Sequence, residues 1–193
     1  MAIGALRERW TVDGWVGSVT SAVLLLEDGR AFRGRAFGAV GQTLGEAVFS
    51  TGMTGYQETL TDPSYQGQVV VMTSPHVGNT GMNDEDPESR KIWVAGYVVR
   101  DPSPAPSNWR SRRSLEDSLK DAGVVGIRDI DTRALTRHLR DRGAMRVGIF
   151  SGEAAGVPLE ELVERVRATA PMTGANLTAD VSVDEAYVVP AIG

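Results

Sequence analysis

The pattern of hydrophobic and polar positions predicts strands in the first half of the chain and alternating helices and strands in the second half. Short apolar runs predict strands at residues 22–26, 31–37, 47–49, 69–73, 93–99, 124–127 and 145–150. The run at 69–73 is apolar without alternation, which is typical of a strand buried on both faces. Asp28 and Gly29 separate the first two strands and predict a tight hairpin turn with positive φ at both residues.

Three helices are predicted after residue 113. They run from Ser114 to Gly123, from Asp131 or Thr132 to Gly143, and from Pro158 toward Ala170. Ser114 followed by Asp117 resembles a capping box, glycine is common just after a helix, and proline suits its first turn. Strands followed by helix–strand units are typical of an α/β protein with its helices grouped on one side.

The stretch at 45–68, GEAVFSTGMTGYQETLTDPSYQGQ, contains the main candidate functional residues. Its centre is a run of small and hydroxyl residues with two glycines, which lets a ligand or another chain approach the backbone closely. Asp62, Pro63 and Ser64 predict a turn held by side-chain hydrogen bonds. Nearly every polar group here is uncharged, so the chemistry indicated is positioning by hydroxyl groups and backbone amides.

Composition excludes several classes of function. With 193 residues the chain is predicted to form one domain, and its lack of cysteine excludes a disulfide framework, a thiolate metal site and a cysteine nucleophile. A net charge of −5 argues against general nucleic-acid binding. Residues 1–18 lack the apolar core of a secretory signal, and no run is long enough to span a membrane, so we expect a cytoplasmic protein without membrane association.

Three separated segments resemble the small, glutamine-handling subunit of carbamoyl phosphate synthetase. They are STGMTGYQETLTDPSY at 50–65, SPHVGNTGMNDED at 74–86 and DIDTRALTRHLRDRGAM at 129–145, in the order of that family's N-terminal domain. The resemblance implies a layered β/β/α domain of the swivelling type, with a mixed sheet, over residues 19–170. Residues 1–18 are then an N-terminal extension, and residues 171–193 a linker toward a class I glutamine amidotransferase domain.

The resemblance also implies a function. In this family the small subunit supplies ammonia from glutamine to a large subunit, which makes carbamoyl phosphate for arginine and pyrimidine biosynthesis. ATP and magnesium are expected on the large subunit, and no cofactor or metal in this chain. The catalytic cysteine belongs to the amidotransferase domain, so the holoenzyme is a C–N-forming ligase whereas this chain alone is expected to be inactive. Ser64 is implied to contact the glutamine substrate.

Two groups of residues are candidates for docking on the large subunit or for lining the ammonia passage. They are the apolar and small residues Gly52, Met53, Thr54 and Tyr56, and the basic residues Arg133, Arg137 and Arg140. For the first group the alternative is a tight bend in which Met53 fills a gap in the core. For the second it is a solvated helix face with cations near the helix C-terminus.

Two other classes of function stay open. One is a free-standing interaction module without catalytic association. The other is a hydrolase that uses Ser64, or Ser50 with His76, although no G-x-S-x-G elbow is present. Asp84, Asp86 and Glu88 alternate like a calcium loop, but Ser89 and Ala95 stand where its glycine and glutamate belong, so an exposed acidic turn is predicted.

Overall fold

Seven strands close into a barrel in the computed structural model, which describes residues 20–191. The barrel strands are β1 (Ser21–Leu26), β2 (Ala31–Gly38), β3 (Gln42–Ser50), β4 (Gln68–Met72), β6 (Gly96–Val98), β8 (Val125–Arg128) and β9 (Met145–Ser151). Two short strands, β5 (His76–Val77) and β7 (Asp101–Pro102), pair with each other outside it. The run of valines in β4 is buried on both faces, as predicted.

The order around the barrel is β1-β2-β8-β6-β4-β3-β9, and β9 returns to β1. Four neighbouring strands, β3, β4, β6 and β8, are parallel, whereas the remaining contacts are antiparallel. The four parallel strands therefore end at the same rim of the barrel, which we call the carboxyl edge. Loops that follow these strands meet there.

Five helices lie within the described residues: α1 (Tyr56–Thr61), α2 (Leu115–Asp121), α3 (Thr132–Arg142), α4 (Leu159–Ala168) and α5 (Thr178–Val181). The three predicted helices are confirmed as α2, α3 and α4. The Ser114 hydroxyl accepts from the Asp117 backbone N–H at 3.0 Å, and the Asp131 carboxylate accepts from the Ala134 N–H at 2.9 Å. α2 and α3 thus each begin where a side chain binds a free backbone donor, whereas α4 begins after Pro158 without a side-chain cap.

The barrel has an inner core and two outer cores. The inner one takes alternate residues from all seven strands, and α3 adds Leu135 and Leu139 to it. Outside, α1 and α2 cover β4 and β6 through Tyr56, Leu60, Val70, Met72, Tyr97, Leu115 and Leu119. On another wall α4 covers β1 and β9 through Val23, Leu25, Phe150, Leu162 and Val166.

The prediction that the helices group on one side is therefore wrong. The barrel has two separate apolar patches on its outer wall, and α1 with α2 covers one of them while α4 covers the other. The mixed α/β class is confirmed, and the layered swivelling arrangement stays a prediction.

Several predicted boundaries also differ. β3 extends over 42–50 rather than 47–49, β6 covers only part of 93–99, and α1 was not predicted. In the hairpin turn, Gly29 has a φ of 90° but Asp28 is not in the positive-φ region. The four-residue turn from Leu26 to Gly29, closed by a hydrogen bond from the Gly29 N–H to the Leu26 carbonyl at 2.9 Å, needs positive φ at the glycine alone.

The described residues stop short of both ends of the chain. The predicted extension at 1–18 lies outside the described residues, as do residues 192 and 193. Residues 171–191 are mostly exposed and contain the single turn of α5. None of the helices within 20–191 has the length and hydrophobicity needed to cross a membrane.

Candidate functional site

The stretch from β3 to β4 forms a β-α-β unit with the candidate residues at its two ends. Because β3 and β4 are parallel, α1 must run back between them. Residues 51–55 therefore lie at the carboxyl edge, whereas the turn that contains Ser64 lies at the start of β4. At about 3.3 Å per residue, the five residues of β4 separate the two ends by about 13 Å. The candidate residues of the stretch at 45–68 therefore belong to two separate sites, one at each end of the β-α-β unit.

Ser64 is an exposed residue in a short 3₁₀ turn, Pro63–Tyr65, between α1 and β4. The Asp62 carboxylate accepts from the Ser64 backbone N–H at 2.8 Å, and the Asp62 carbonyl accepts from the Tyr65 N–H at 3.1 Å. The Ser64 hydroxyl has no hydrogen-bond partner within residues 20–191. The turn is held by the Asp62 side chain and by backbone groups, so the Ser64 hydroxyl is left available for a ligand.

The end of α1 next to this turn is fixed by the long loop at 73–95. The Thr61 hydroxyl accepts from the Glu88 N–H at 2.9 Å, and the Ser89 hydroxyl donates to the Thr61 carbonyl at 2.6 Å. The indole N–H of Trp93 in turn donates to the Ser89 hydroxyl at 2.6 Å. These bonds fix the end of α1 from which the Ser64 turn begins.

Gln57, in the middle of α1, joins the helix to the same loop. Its side chain is 5% exposed, its amide donates to the Asn83 carbonyl at 2.6 Å, and its oxygen accepts from the Asn83 N–H at 2.9 Å. Asn83 itself accepts from the backbone N–H groups of Glu85 and Asp86. One buried amide therefore links α1 to the acidic turn.

Tyr56 is buried in the domain's own core rather than exposed on a docking surface. Its ring is 4% exposed, and its hydroxyl donates to the Gly81 carbonyl and accepts from Thr80, each at 2.7 Å. Burial raises the pKa of this phenol, although the bonds to Thr80 and Gly81 act in the opposite direction. These contacts give Tyr56 a structural role, and its predicted interface role has no support in the fold.

The loop at 51–55 is exposed at the carboxyl edge. Met53 is 85% exposed, so the alternative in which it fills a core gap is wrong. Gly52 donates its backbone N–H to the Ser50 hydroxyl at 3.4 Å, and Gly55 has a φ of 76° at the start of α1. The loop offers one large apolar side chain between small residues.

A polar cavity of about 290 Å³ lies beside this loop. Its wall includes Asn108 and Arg110 from a segment that the sequence analysis did not single out, and Trp109 between them is 91% exposed. Arg110 binds the Asp86 carboxylate at 2.7 Å; hydrogen bonds from Asn83 and Arg110 lower the pKa of Asp86. The acidic turn is therefore paired with arginine. No motif marks Asn108 and Arg110, although an exposed tryptophan beside an arginine is a composition typical of interfaces.

The three basic candidates, Arg133, Arg137 and Arg140, lie on one exposed face of α3. They line a groove of about 600 Å³ together with Arg100, which follows β6. This groove is also at the carboxyl edge, because α3 follows β8 and its opposite wall follows β4 and β6. The structure thus brings the basic group to the same rim as Met53 and leaves Ser64 at the other end of α1.

Neither imidazole ring is hydrogen-bonded to a serine side chain within residues 20–191, although the Ser74 hydroxyl donates to the His76 backbone carbonyl at 3.1 Å. His76 contacts the Asp101 carboxylate at 3.0 Å, and His138 contacts the Asp28 carboxylate at 2.7 Å and the Arg30 guanidinium at 3.1 Å. The hydrolase alternative, which needs a base beside Ser50 or Ser64, has no support in this geometry. Over the same residues, no three acidic or histidine side chains are grouped to hold a metal ion.

Comparison with known proteins agrees with the resemblance. The family described as "Carbamoyl-phosphate synthase small chain, CPSase domain" matches residues 24–149. The chain is 73% identical over 173 residues to the carbamoyl phosphate synthase small chain of Streptomyces avermitilis, covering 89% of this chain and 45% of that protein. It is 64% identical over 174 residues to that of Mycolicibacterium paratuberculosis, covering 89% and 46%.

The same small chain of Corynebacterium diphtheriae is 59% identical over 176 residues, covering 90% of this chain and 46% of that protein. The chain therefore spans about half the length of the curated relatives it matches. The family match covers most of the barrel, from β1 to β9, and includes the turn with Ser64, the loop with Met53 and the helix with the arginines. The chain belongs to the carbamoyl-phosphate synthase small-chain family and contains that family's CPSase domain.

Proposed function

We propose that this chain acts as the front domain of a carbamoyl phosphate synthetase small subunit. In that role it holds the small subunit on the large subunit and forms one wall of the glutamine site. The large subunit then uses the ammonia, with ATP and magnesium, to make carbamoyl phosphate for arginine and pyrimidine biosynthesis. A cytoplasmic location remains part of this proposal.

The observation that carries the proposal is the exposed, unpaired hydroxyl of Ser64. Its turn is fixed on one side by Asp62 and β4, and on the other by Thr61 and the long loop. A hydroxyl on a rigid turn can hydrogen-bond a substrate amide or carboxylate without a large loss of entropy. Because no base lies beside it among the described residues, we assign Ser64 a binding role and no nucleophilic one.

The separation of the two candidate sites supports two distinct contacts. Ser64 lies at one end of the β-α-β unit, where we place the glutamine domain. Gly52, Met53 and Thr54 lie at the carboxyl edge, where we place the large subunit and the ammonia passage. An exposed methionine between small residues gives a flexible apolar contact that adapts to a partner surface.

The test is the Ser64→Ala variant of the full-length small subunit in complex with the large subunit. One lost hydrogen bond to a ligand costs about 0.5–1.5 kcal/mol, so the KM for glutamine should rise roughly two- to twelvefold with kcat little changed. Synthesis from added ammonia should be unaffected, because ammonia bypasses the glutamine site.

A matched control is Ser107→Ala, which removes another exposed serine hydroxyl from the same domain. It should leave both nitrogen sources unaffected. Equal losses with glutamine and with ammonia in Ser64→Ala would indicate a folding or docking defect and would remove Ser64 from the glutamine site.

A further inference from the structure

A groove at the carboxyl edge concentrates positive charge from separate parts of the chain. One wall is α3, with Arg133, Arg137 and Arg140, and the other wall contains Thr73, Pro75 and Arg100. Arg133, Arg137 and Arg140 follow one another at helical spacing, so they form a single stripe along α3. The groove holds about 600 Å³, which is large enough to receive several side chains of another molecule.

The charge in this groove is not neutralised within the domain. No carboxylate oxygen of residues 20–191 lies within 4.0 Å of the guanidinium nitrogens of Arg100, Arg133 or Arg137. Among the carboxylates of the described residues, Arg140 pairs with Asp141 alone, and the two side chains are 66% and 61% exposed. Guanidinium groups that share a concave surface repel one another, so an anion that enters it is attracted by all of them.

Three acidic residues beside Arg100 are already engaged in other contacts. Asp101 contacts His76 at 3.0 Å, Asp129 contacts Arg35 at 3.3 Å, and Asp131 accepts from a backbone N–H at the start of α3. They lie beyond Arg100, in a separate depression. The fold therefore uses these carboxylates for its own contacts, and none of them is bound to Arg100, Arg133 or Arg137.

A second observation points to a ligand in the same groove. The hydroxyl of Thr136, which lines it, is buried and has no hydrogen-bond partner among the described residues. Burying a hydroxyl without a partner is unfavourable, so a rotation of the Thr136 side chain that turned this hydroxyl into the groove would give it an occupant as partner. Guanidinium groups together with a hydroxyl donor match the oxygens of carboxylates.

The position of the groove indicates a protein rather than a small anion. The Thr73 N–H donates to the Ser50 carbonyl at 3.0 Å, so the groove wall adjoins the start of the loop with the exposed Met53. The arginines and the large exposed apolar side chain form one extended surface. Arginine and methionine are enriched in protein–protein interfaces, so the composition of this surface is typical of one. Its charge is complementary to an acidic surface on the partner.

We propose that this groove receives the carboxylates of an acidic segment of the large synthetase subunit, with Arg100, Arg133 and Arg137 as their principal partners. The inference rests on the proposed function, because it takes the large subunit as the occupant. It adds the chemistry of the contact, and it assigns to Arg100 and Thr136 a place in the interface.

The test compares two double variants of the full-length small subunit in binding to the purified large subunit. Arg133→Glu with Arg137→Glu reverses two charges in the groove. Arg33→Glu with Arg112→Glu is the matched control, since these exposed arginines do not line the groove and the change in net charge is the same. At low ionic strength the groove variant should associate at least tenfold more slowly than the control, and the difference should shrink as salt is added.

A conservative pair separates geometry from charge. Arg133→Lys with Arg137→Lys keeps the charge but loses the planar fork that binds a carboxylate through two parallel bonds. It should associate at the wild-type rate and dissociate faster. Amide hydrogen exchange in α3 and residues 73–75 of the wild-type protein should slow when the large subunit binds, which long-range attraction alone does not produce. Circular dichroism confirms that all variants are folded.

The outcomes are distinct. If wild type and control fail to bind the large subunit, the proposed docking function fails and the groove proposal with it. If they bind and the groove variant binds equally fast, the docking function stands and the groove proposal is overturned. Protection of α3 by inorganic pyrophosphate without protection by the large subunit would make the occupant a small anion, and it would also overturn the proposal.

Discussion

Replacing Gln57 tests whether one buried amide holds α1 in position. Gln57→Met keeps the length and approximate volume of the side chain but removes both hydrogen bonds to Asn83, at 2.6 and 2.9 Å. In the variant the N–H and carbonyl groups of Asn83 face a thioether. Since Asn83 is only half-buried, water can satisfy part of what is lost.

The expected cost follows from these two bonds. A polar group left without its partner costs about 1–3 kcal/mol when buried, and the apolar methionine offsets part of that. We therefore expect the free energy of unfolding to fall by about 2–3 kcal/mol. For a chain of this size each kcal/mol lowers Tm by about 2–4 °C, which gives a decrease of roughly 4–12 °C.

The measurement is urea and thermal unfolding of wild type and Gln57→Met, followed by circular dichroism. Gln42→Met is the control, because Gln42 is exposed and its side chain contacts only Arg165, at 3.2 Å. The control should change stability by less than about 0.5 kcal/mol. A Gln57→Met protein that unfolds at the wild-type midpoint would refute the reasoning, since the amide would then contribute nothing to holding α1.

Three further predictions concern packing, catalysis and pH. Gly126→Ala should lower the free energy of unfolding in urea by at least about 3 kcal/mol, because the new Cβ would lie 2.6 and 2.7 Å from two backbone carbonyl oxygens. Gly156→Ala is the control and should be neutral, since no atom lies within 4 Å of its new Cβ. The isolated chain should release no ammonia from glutamine; turnover that disappears in Ser64→Ala would contradict the binding role. Burial raises the pKa of Asp28. Hydrogen bonds from the Arg30 backbone N–H and from His138 lower it by more than burial raises it, so the pKa lies below its usual value of 3.8. The ionised Asp28 should therefore stabilise the fold above about pH 4 and lose this effect at more acidic pH. The difference in free energy of unfolding between wild type and Asp28→Asn should narrow between about pH 5 and pH 3. A difference that stays constant over this range would contradict the prediction.

The elements that the sequence predicted well depend on residues close together in the chain. Ser114 and Asp117, three residues apart, mark the start of α2, and Asp131 and Gly143 mark the ends of α3. The valines of β4 indicate a strand buried on both faces without reference to any partner. These patterns depend on neighbouring residues alone, so the helix ends and the strand that they predict are found in the folded structure.

Closure of the barrel and the groove could not be predicted in this way. The pair Leu24 and Ile149 joins residues from opposite ends of the domain, and no local pattern encodes that contact. Arg100 reaches the groove only because β6 and β8 are parallel neighbours. In α1 a signal was present, since Tyr56 and Leu60 are four residues apart and both buried. Six residues between a glycine-rich loop and a proline are too few for that spacing to stand out.

The position of β9 between β1 and β3 has a consequence for how the chain folds during synthesis. The hairpin of β1 and β2 and the pair of β3 and β4 can form early, since their partners are close in sequence. β9 is the last barrel strand to leave the ribosome, and until it does, β1 and β3 each have an edge of unpaired backbone groups. Open edges pair readily with other chains, and closure through distant strands is slow. A nascent chain whose β9 is still inside the ribosome is thus most exposed to aggregation, and the emergence of these seven residues allows both open edges to close at once.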